Sequence, residues 1–193
     1  MAYSFDSYTV DIIDRPFVRD DWYTTPQTAS ITLFNEKGRE IHSFHLAFPD
    51  ISDIYEHIGR GENINLDSCY VKGFSSTACK RYLIIDKQLH LVVKEFSAKG
   101  AFFDSNLNID LSLVDFTDVT SFNDSYIVSK AFDFHSTKLS NHGFDFANCF
   151  VKVDKVNFTQ THFDGGIITF KNTIFDTGDK DFQDVDFGDG EVI

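Results

Sequence analysis

The sequence predicts an all-β fold: a parallel β-helix, or β-solenoid, with a small N-terminal β-plus-helix cap. Three observations predict it. Large apolar residues recur every twelve residues, at Phe122, Phe134, Phe146, Phe158, Phe170 and Phe182. A second column follows five residues behind, at Ile127, Leu139, Val151, Phe163, Phe175 and Phe187. Phe supplies 22 of the 193 residues, against one Met and one Trp. A core drawn from one residue type in register belongs to stacked repeats more than to an irregular globule.

Residues 1–60 lie outside the repeat and read as the cap. Tyr8–Ile13 has the β-branched content of a strand, and Pro16 with Arg19-Asp20-Asp21 breaks it. Ala29–Phe34 and Glu40–Leu46 form a hairpin candidate across the turn signal Asn35–Gly38. Phe48-Pro49 closes the second strand. Ile51, Ile54, Tyr55 and Ile58 then share one face of a short helix, with Asp50 as N-cap and Gly59 at its stop. The expected role of this unit is to cover the first open rung of the solenoid, since a bare sheet edge templates pairing.

Residues 61–193 form the repeat body. Ile64-Asn65-Leu66 and Val114-Asp115-Phe116 begin the grammar before the twelve-residue beat sets in. Two residues before the second column stand Ser125, Thr137, Cys149, Thr161, Thr173 and Val185, all small or β-branched. Side chains alternate along an extended segment, so the large residue and the small one two before it both face the axis. The residue between them faces out. Asp133, Asp145, Asn157 and Asp181 precede members of the first column, where a short polar side chain bonds nearby backbone amides. Between Lys80 and Phe103 the register is poor, although Leu83-Ile84-Ile85 and Leu89–Val93 read as strands.

The units Ile64-Asn65-Leu66, Val114-Asp115-Phe116, Val156-Asn157-Phe158 and Val185-Asp186-Phe187 resemble the pentapeptide-repeat family. Its unit is roughly Ala-Asp/Asn-Leu/Phe followed by two variable residues. The resemblance covers most of the chain after residue 63. It implies a right-handed quadrilateral β-helix that serves as a binding or mimicry surface and not as an enzyme. From Phe122 on, the spacing here alternates five and seven, a departure from the family's regular unit.

Twelve residues per coil would enclose too thin a core for two Phe and a β-branched residue, so 24 residues per coil is the expected length. A glycine column, Gly166, Gly178 and Gly190, reads as turns that use positive φ.

The net charge is −13, and Thr161–Ile193 holds eight acids against Lys171 and Lys180. Such a surface disfavours direct nucleic-acid binding and anionic membranes, and leaves a basic protein partner open. Three cysteines (Cys69, Cys79 and Cys149) with no CxxC pair point to a reduced, cytoplasmic setting. Neither a signal peptide nor a membrane-spanning apolar run is visible.

No residue is singled out as catalytic, cofactor-binding or metal-binding. The Asp-Gly turns lack the nine-residue period of a calcium roll. His42 and His45 fall on opposite strand faces, while His135 and His162 adjoin inward residues and should face solvent. None pairs with a cysteine at zinc spacing. Cys149 reads as a buried structural thiol. Nucleophile elbows and phosphate loops are missing from the sequence. The threonines at 159, 161, 169 and 173 lack the fixed ladder that ice binding wants.

The leading expectation is a non-enzymatic interaction or scaffold module without cofactors, binding a protein partner or itself end to end as a dimer or filament. Val192 continues the column of Val156 and Ile168, interrupted at Lys180, so either the solenoid runs on past these residues or its last rung is exposed and favours end-to-end pairing. From the family resemblance comes an alternative, an acidic DNA-mimic that occupies a type II topoisomerase. A third reading makes the solenoid the arm of a larger enzyme or toxin whose active part lies in residues 1–60 or in sequence beyond residue 193, although the charge-dense Asp11, Asp14, Arg15, Arg19, Asp20 and Asp21 read better as a solvated loop.

Overall fold

The computed structural model describes residues 2–21 and 23–193. Ser7–Ile13, Thr28–Phe34 and Glu40–Ala47 form a three-stranded antiparallel sheet, so the expected hairpin and the strand before it are present. Gly38 turns the hairpin at φ 68°. The Asn35 side chain accepts from the Lys37 and Arg39 amides, the bonding that suits Asn to a turn. Ile51–Gly59 is a helix, α1, and Asp50 caps it through the Ser52 amide. The expected spacing is borne out, with Ile54, Tyr55 and Ile58 buried on one face.

The rest of the chain coils. Register fixes the coil at 24 residues: Tyr126 pairs with Phe150 and Phe150 with Ile174, and on another wall Phe144 pairs with Ile168 and Ile168 with Val192. All these pairings are parallel. Each regular coil has four straight stretches, seen in the third coil as 126–128, 131–133, Lys138–Leu139 and Phe144–Asp145. The first two run together as Tyr126–Asp133, but Lys130 has no ladder partner. Ile127 and Phe132 both point inward across an odd spacing, so the chain turns a corner between them. In the coil before, the same walls are two separate strands, Phe102–Asp104 and Asn108–Asp110.

The core is a set of ring stacks parallel to the solenoid axis. Phe134, Phe158 and Phe182 lie face to face at 4.9 and 5.1 Å, with interplanar angles of 9° and 4°. Phe163 and Phe187 repeat this at 5.4 Å and 12°. Phe122, Phe146 and Phe170 stack at tilted angles on the opposite side. Phe132, Phe144, Val156 and Ile168 are also buried, so each regular coil carries more large inward residues than the four expected. The residues two before the second column are inward as predicted: Ser125, Thr137, Cys149 and Thr161 are buried.

Three expectations are corrected. First, the N-terminal unit does not simply roof the first rung. Helix α1 does so, placing Ile54, Tyr55 and Ile58 in the solenoid core, and Ala47 extends the first wall by bridging to Cys69. The sheet instead lies along the outside of that wall. Phe5, Ala29, Ile31, Leu33 and Leu46 bury the outward row Tyr70, Phe102, Tyr126 and Phe150. Tyr8 fixes it there by donating to the Asp104 carboxylate at 2.8 Å, which also accepts from Tyr70 of the wall at 2.6 Å.

Second, Leu83-Ile84-Ile85 is not a strand. A second helix, α2 (Ser76–Tyr82), precedes it, with Leu83 as its C-cap, and Ile84 stands 93% exposed at φ 59°. The insertion stretches the first coil, so Tyr70 and its ladder partner Phe102 are 32 residues apart.

Third, the glycine column is a turn column only in part. Gly165, Gly166 and Gly188 turn the chain at φ 129°, 75° and 52° as expected, but Gly178 lies inside the strand Ile174–Asp181, and neither it nor Gly190 has positive φ. The left-handed positions at each half-coil are Asp124, Ser136, Asn148, Gln160, Asn172 and Asp184, all between 53° and 59°.

Candidate interaction surfaces

The two ends of the solenoid differ, and each offers a surface. At the first end a cleft of about 620 Å³ opens between residues 19–21 and 23–26, α1 and the first coil. Its apolar floor includes Ile54, Ile64 and Leu66. One wall is a tight assembly around Arg19, whose side chain is 12% exposed. The guanidinium forks onto Asp21 (Nε to Oδ1 2.8 Å, Nη2 to Oδ2 2.7 Å), and its Nη1 donates to the Asp67 carbonyl at 2.5 Å. It lies 4.6 Å above the centre of the Tyr23 ring. The hydrogen bond from Arg19 holds the Asp21 carboxyl down at about 2, and burial pushes the Tyr23 phenol up to about 12. The opposite wall is the first turn of α1, where Asp50 and Asp53 line the opening. Asp50 Oδ1 accepts from the Ser52 amide and hydroxyl.

At the other end the fifth coil leaves an edge. Among the described residues no strand pairs with the far side of Ile174–Asp181 or Glu191–Val192. Core positions that are closed in earlier coils are partly open here. Phe182 is 41% exposed, Val192 51% and Ile193 54%, whereas Phe158 and Phe134, one and two coils earlier in the same stack as Phe182, are fully buried. Carboxylates ring this edge. Asp181 faces Lys155 at 3.5 Å, and Asp186 and Asp164 take the two nitrogens of His162 at 2.9 and 2.8 Å. His135 and His162 are outward, as expected, and half-exposed.

The cysteines lie inside. Cys69, Cys79 and Cys149 are free and buried, and burial pushes their thiols up to about 12, 12 and 11. Cys149 donates to the Phe122 carbonyl at 3.0 Å, consistent with the structural role expected for it. Among the described residues no three His, Cys, Asp or Glu side chains converge as a metal group. The charge-dense segment is split: Arg19 and Asp21 form the cleft wall, whereas Asp11 is exposed on the outer sheet. No helix among them is long and apolar enough to cross a membrane.

Sequence reading missed the cleft and the outward aromatic row. The row had a signal: Tyr70, Phe102, Tyr126 and Phe150 occupy outward positions that hold Lys138 and His162 on another wall. The cleft had none, because three separate segments line it.

No protein-family model matches the chain, no curated protein matches it, and no solved structure does.

Proposed function

We propose that this chain is a non-enzymatic scaffold module that joins to a second copy of itself through the edge of its fifth coil. The observation that carries the reading is the contrast between the ends. At the first end helix α1 and Ala47 cover the core, although Ile64–Asn65 and Leu91–Val93 are sheet edges there too. At the fifth coil, ladder groups and Phe182, Val192 and Ile193 stay accessible. An unpaired edge over an apolar rung is a template for strand addition.

This edge meeting its own copy gives a closed two-fold pair, whereas head-to-tail growth would have to dock it on the end whose core α1 covers. The acidic rim opposes itself in such a pair, so association strengthens as salt screens it.

Light scattering over a concentration series at low and high salt tests this. The expected result is a monomer–dimer equilibrium that shifts toward dimer with salt, with no larger species. Val192→Pro should return the chain to monomer. The Glu191 and Ile193 amides bond to the preceding coil, whereas the Val192 amide faces the free edge, so proline there removes only the outward donor. A wild-type monomer at every concentration and salt would overturn the reading, as would open-ended filaments.

A further inference from the structure

We propose that the cleft beside α1 binds a lysine or arginine side chain presented by an extended segment of a partner protein. The site is separate from the coil edge and stands independently of the self-association reading.

The cleft volume of about 620 Å³ falls in the range of small-ligand sites. It exceeds one side chain and leaves room for the flanking backbone. Its floor of Ile54, Ile64 and Leu66 suits the methylene stem of a long basic residue, which buries its carbons and keeps its charge at a polar rim.

The rim supplies that charge. Asp53 takes part in no hydrogen bond or ion pair among the described residues, and Asp50 commits only Oδ1. Of the basic groups in the lining, Arg19 is already matched by the fork to Asp21 and by the Asp67 carbonyl, and the His57 imidazole is paired with Glu62. The carboxylates of Asp50 and Asp53 therefore face an apolar slot with no cation of this chain between them. An anionic ligand is repelled, and a neutral one leaves Asp53 unpaired. The net charge of −13 adds long-range attraction for a basic segment.

Isothermal titration calorimetry serves as the readout. The probes are blocked pentapeptides, Gly-Gly-Arg-Gly-Gly and its Lys form, with Gly-Gly-Gln-Gly-Gly as control, titrated at physiological salt. Saturable binding of the basic peptides alone is expected. Asp53→Asn should weaken it about tenfold, the scale of one charge-assisted contact. The distant pair Asp189→Asn/Glu191→Gln, which removes more charge, should leave it unchanged.

Three results would overturn the proposal: no saturable change with either basic peptide, equal binding of the Gln peptide, or equal weakening by the distant pair. The last would show general attraction to an acidic chain. Asp53 is exposed, and a matching urea midpoint for Asp53→Asn shows that a loss of binding is not a loss of fold.

Discussion

Thr161 donates its buried hydroxyl to the carbonyl of Phe134, one coil earlier, at 2.9 Å. The same carbonyl accepts the Thr137 amide of its own coil at 3.1 Å. Cys149 does this to Phe122, Thr173 to Phe146 and Thr137 to Leu111. The small column therefore has a chemical role beyond size. Thr137, Cys149, Thr161 and Thr173 each bond a carbonyl of the coil behind and tie consecutive coils at a corner.

Thr161→Val keeps the shape and removes that tie. The expected loss is about 1 kcal/mol, because the carbonyl retains its amide partner. The reverse experiment exists in the same column, where Val185 stands in the corresponding position after Phe158. Val185→Thr restores the donor and should gain up to about 1 kcal/mol. Urea midpoints at constant slope read both. If neither variant moves its midpoint, the coil-to-coil hydroxyl contributes nothing.

Gln160 sits at φ 57° in the left-handed column. That region costs a side-chain-bearing residue about 1 kcal/mol or more, which glycine avoids. Its side chain returns only one contact, from the Ser136 hydroxyl at 3.2 Å. Gln160→Gly should be neutral or stabilising by up to about 1 kcal/mol, and Gln160→Val destabilising by about 1–3 kcal/mol. The order Gly above Gln above Val in thermal midpoint is the check, and Val matching Gly would remove the strain argument.

Gln160 also marks how far the sequence could be read. The Phe columns were legible because a 24-residue coil returns each inward side chain to the same place. The left-handed column was hidden, since Asp, Ser, Asn and Gln there look like ordinary polar surface, and visible glycines drew attention to Gly178 and Gly190 instead. Helix α2 was hidden for a different reason. Seven residues are too few to show a helical period, and the β-branched pair Ile84-Ile85 after it imitates a strand. The cleft depends on three segments meeting in space, which no local pattern records.

Alkaline pH should destabilise the protein from near pH 9. Unfolded thiols ionise at about 9, whereas burial holds those of Cys69, Cys79 and Cys149 protonated to about 12, 12 and 11. Above pH 9 the folded chain therefore binds more protons than the unfolded chain, and stability falls as pH rises. Each thiol contributes at most about 1.4 kcal/mol per pH unit in that window. Tyr8 and Tyr70, raised by burial and by their bonds to Asp104, extend the fall above pH 10. Urea midpoints at pH 7, 9.5 and 10.5 should decline in order, and a flat profile would contradict the buried-thiol account. Native thiols should also resist an aromatic disulfide reagent until urea exposes all three.

Asp110 holds the α2 insertion to the second coil. Its carboxylate accepts from the Ser75 hydroxyl at 2.9 Å, the Ser76 hydroxyl at 3.2 Å and the Thr77 amide at 3.2 Å on one side. On the other it accepts from the Ser112 amide and hydroxyl at 3.0 and 2.6 Å. Burial alone would raise its pKa. The donors from Ser112, Thr77 and Ser75 outweigh that and hold it below the usual carboxylate value. A depressed carboxyl stabilises the fold above its unfolded pKa, and that contribution is lost as pH falls through the folded value. Asp110→Asn keeps the shape but replaces an acceptor oxygen with a donor that faces other donors. The expected cost is about 2–3 kcal/mol, the range for hydrogen bonds to a charged group. It should be local, because this carboxylate joins the start of α2 to the second coil while the Phe stacks run past it. Hydrogen exchange should therefore speed up first at the Cys79 and Leu83 amides of α2, with those of Phe134 and Phe158 still protected. Uniform acceleration through the coils would instead make Asp110 part of the global core.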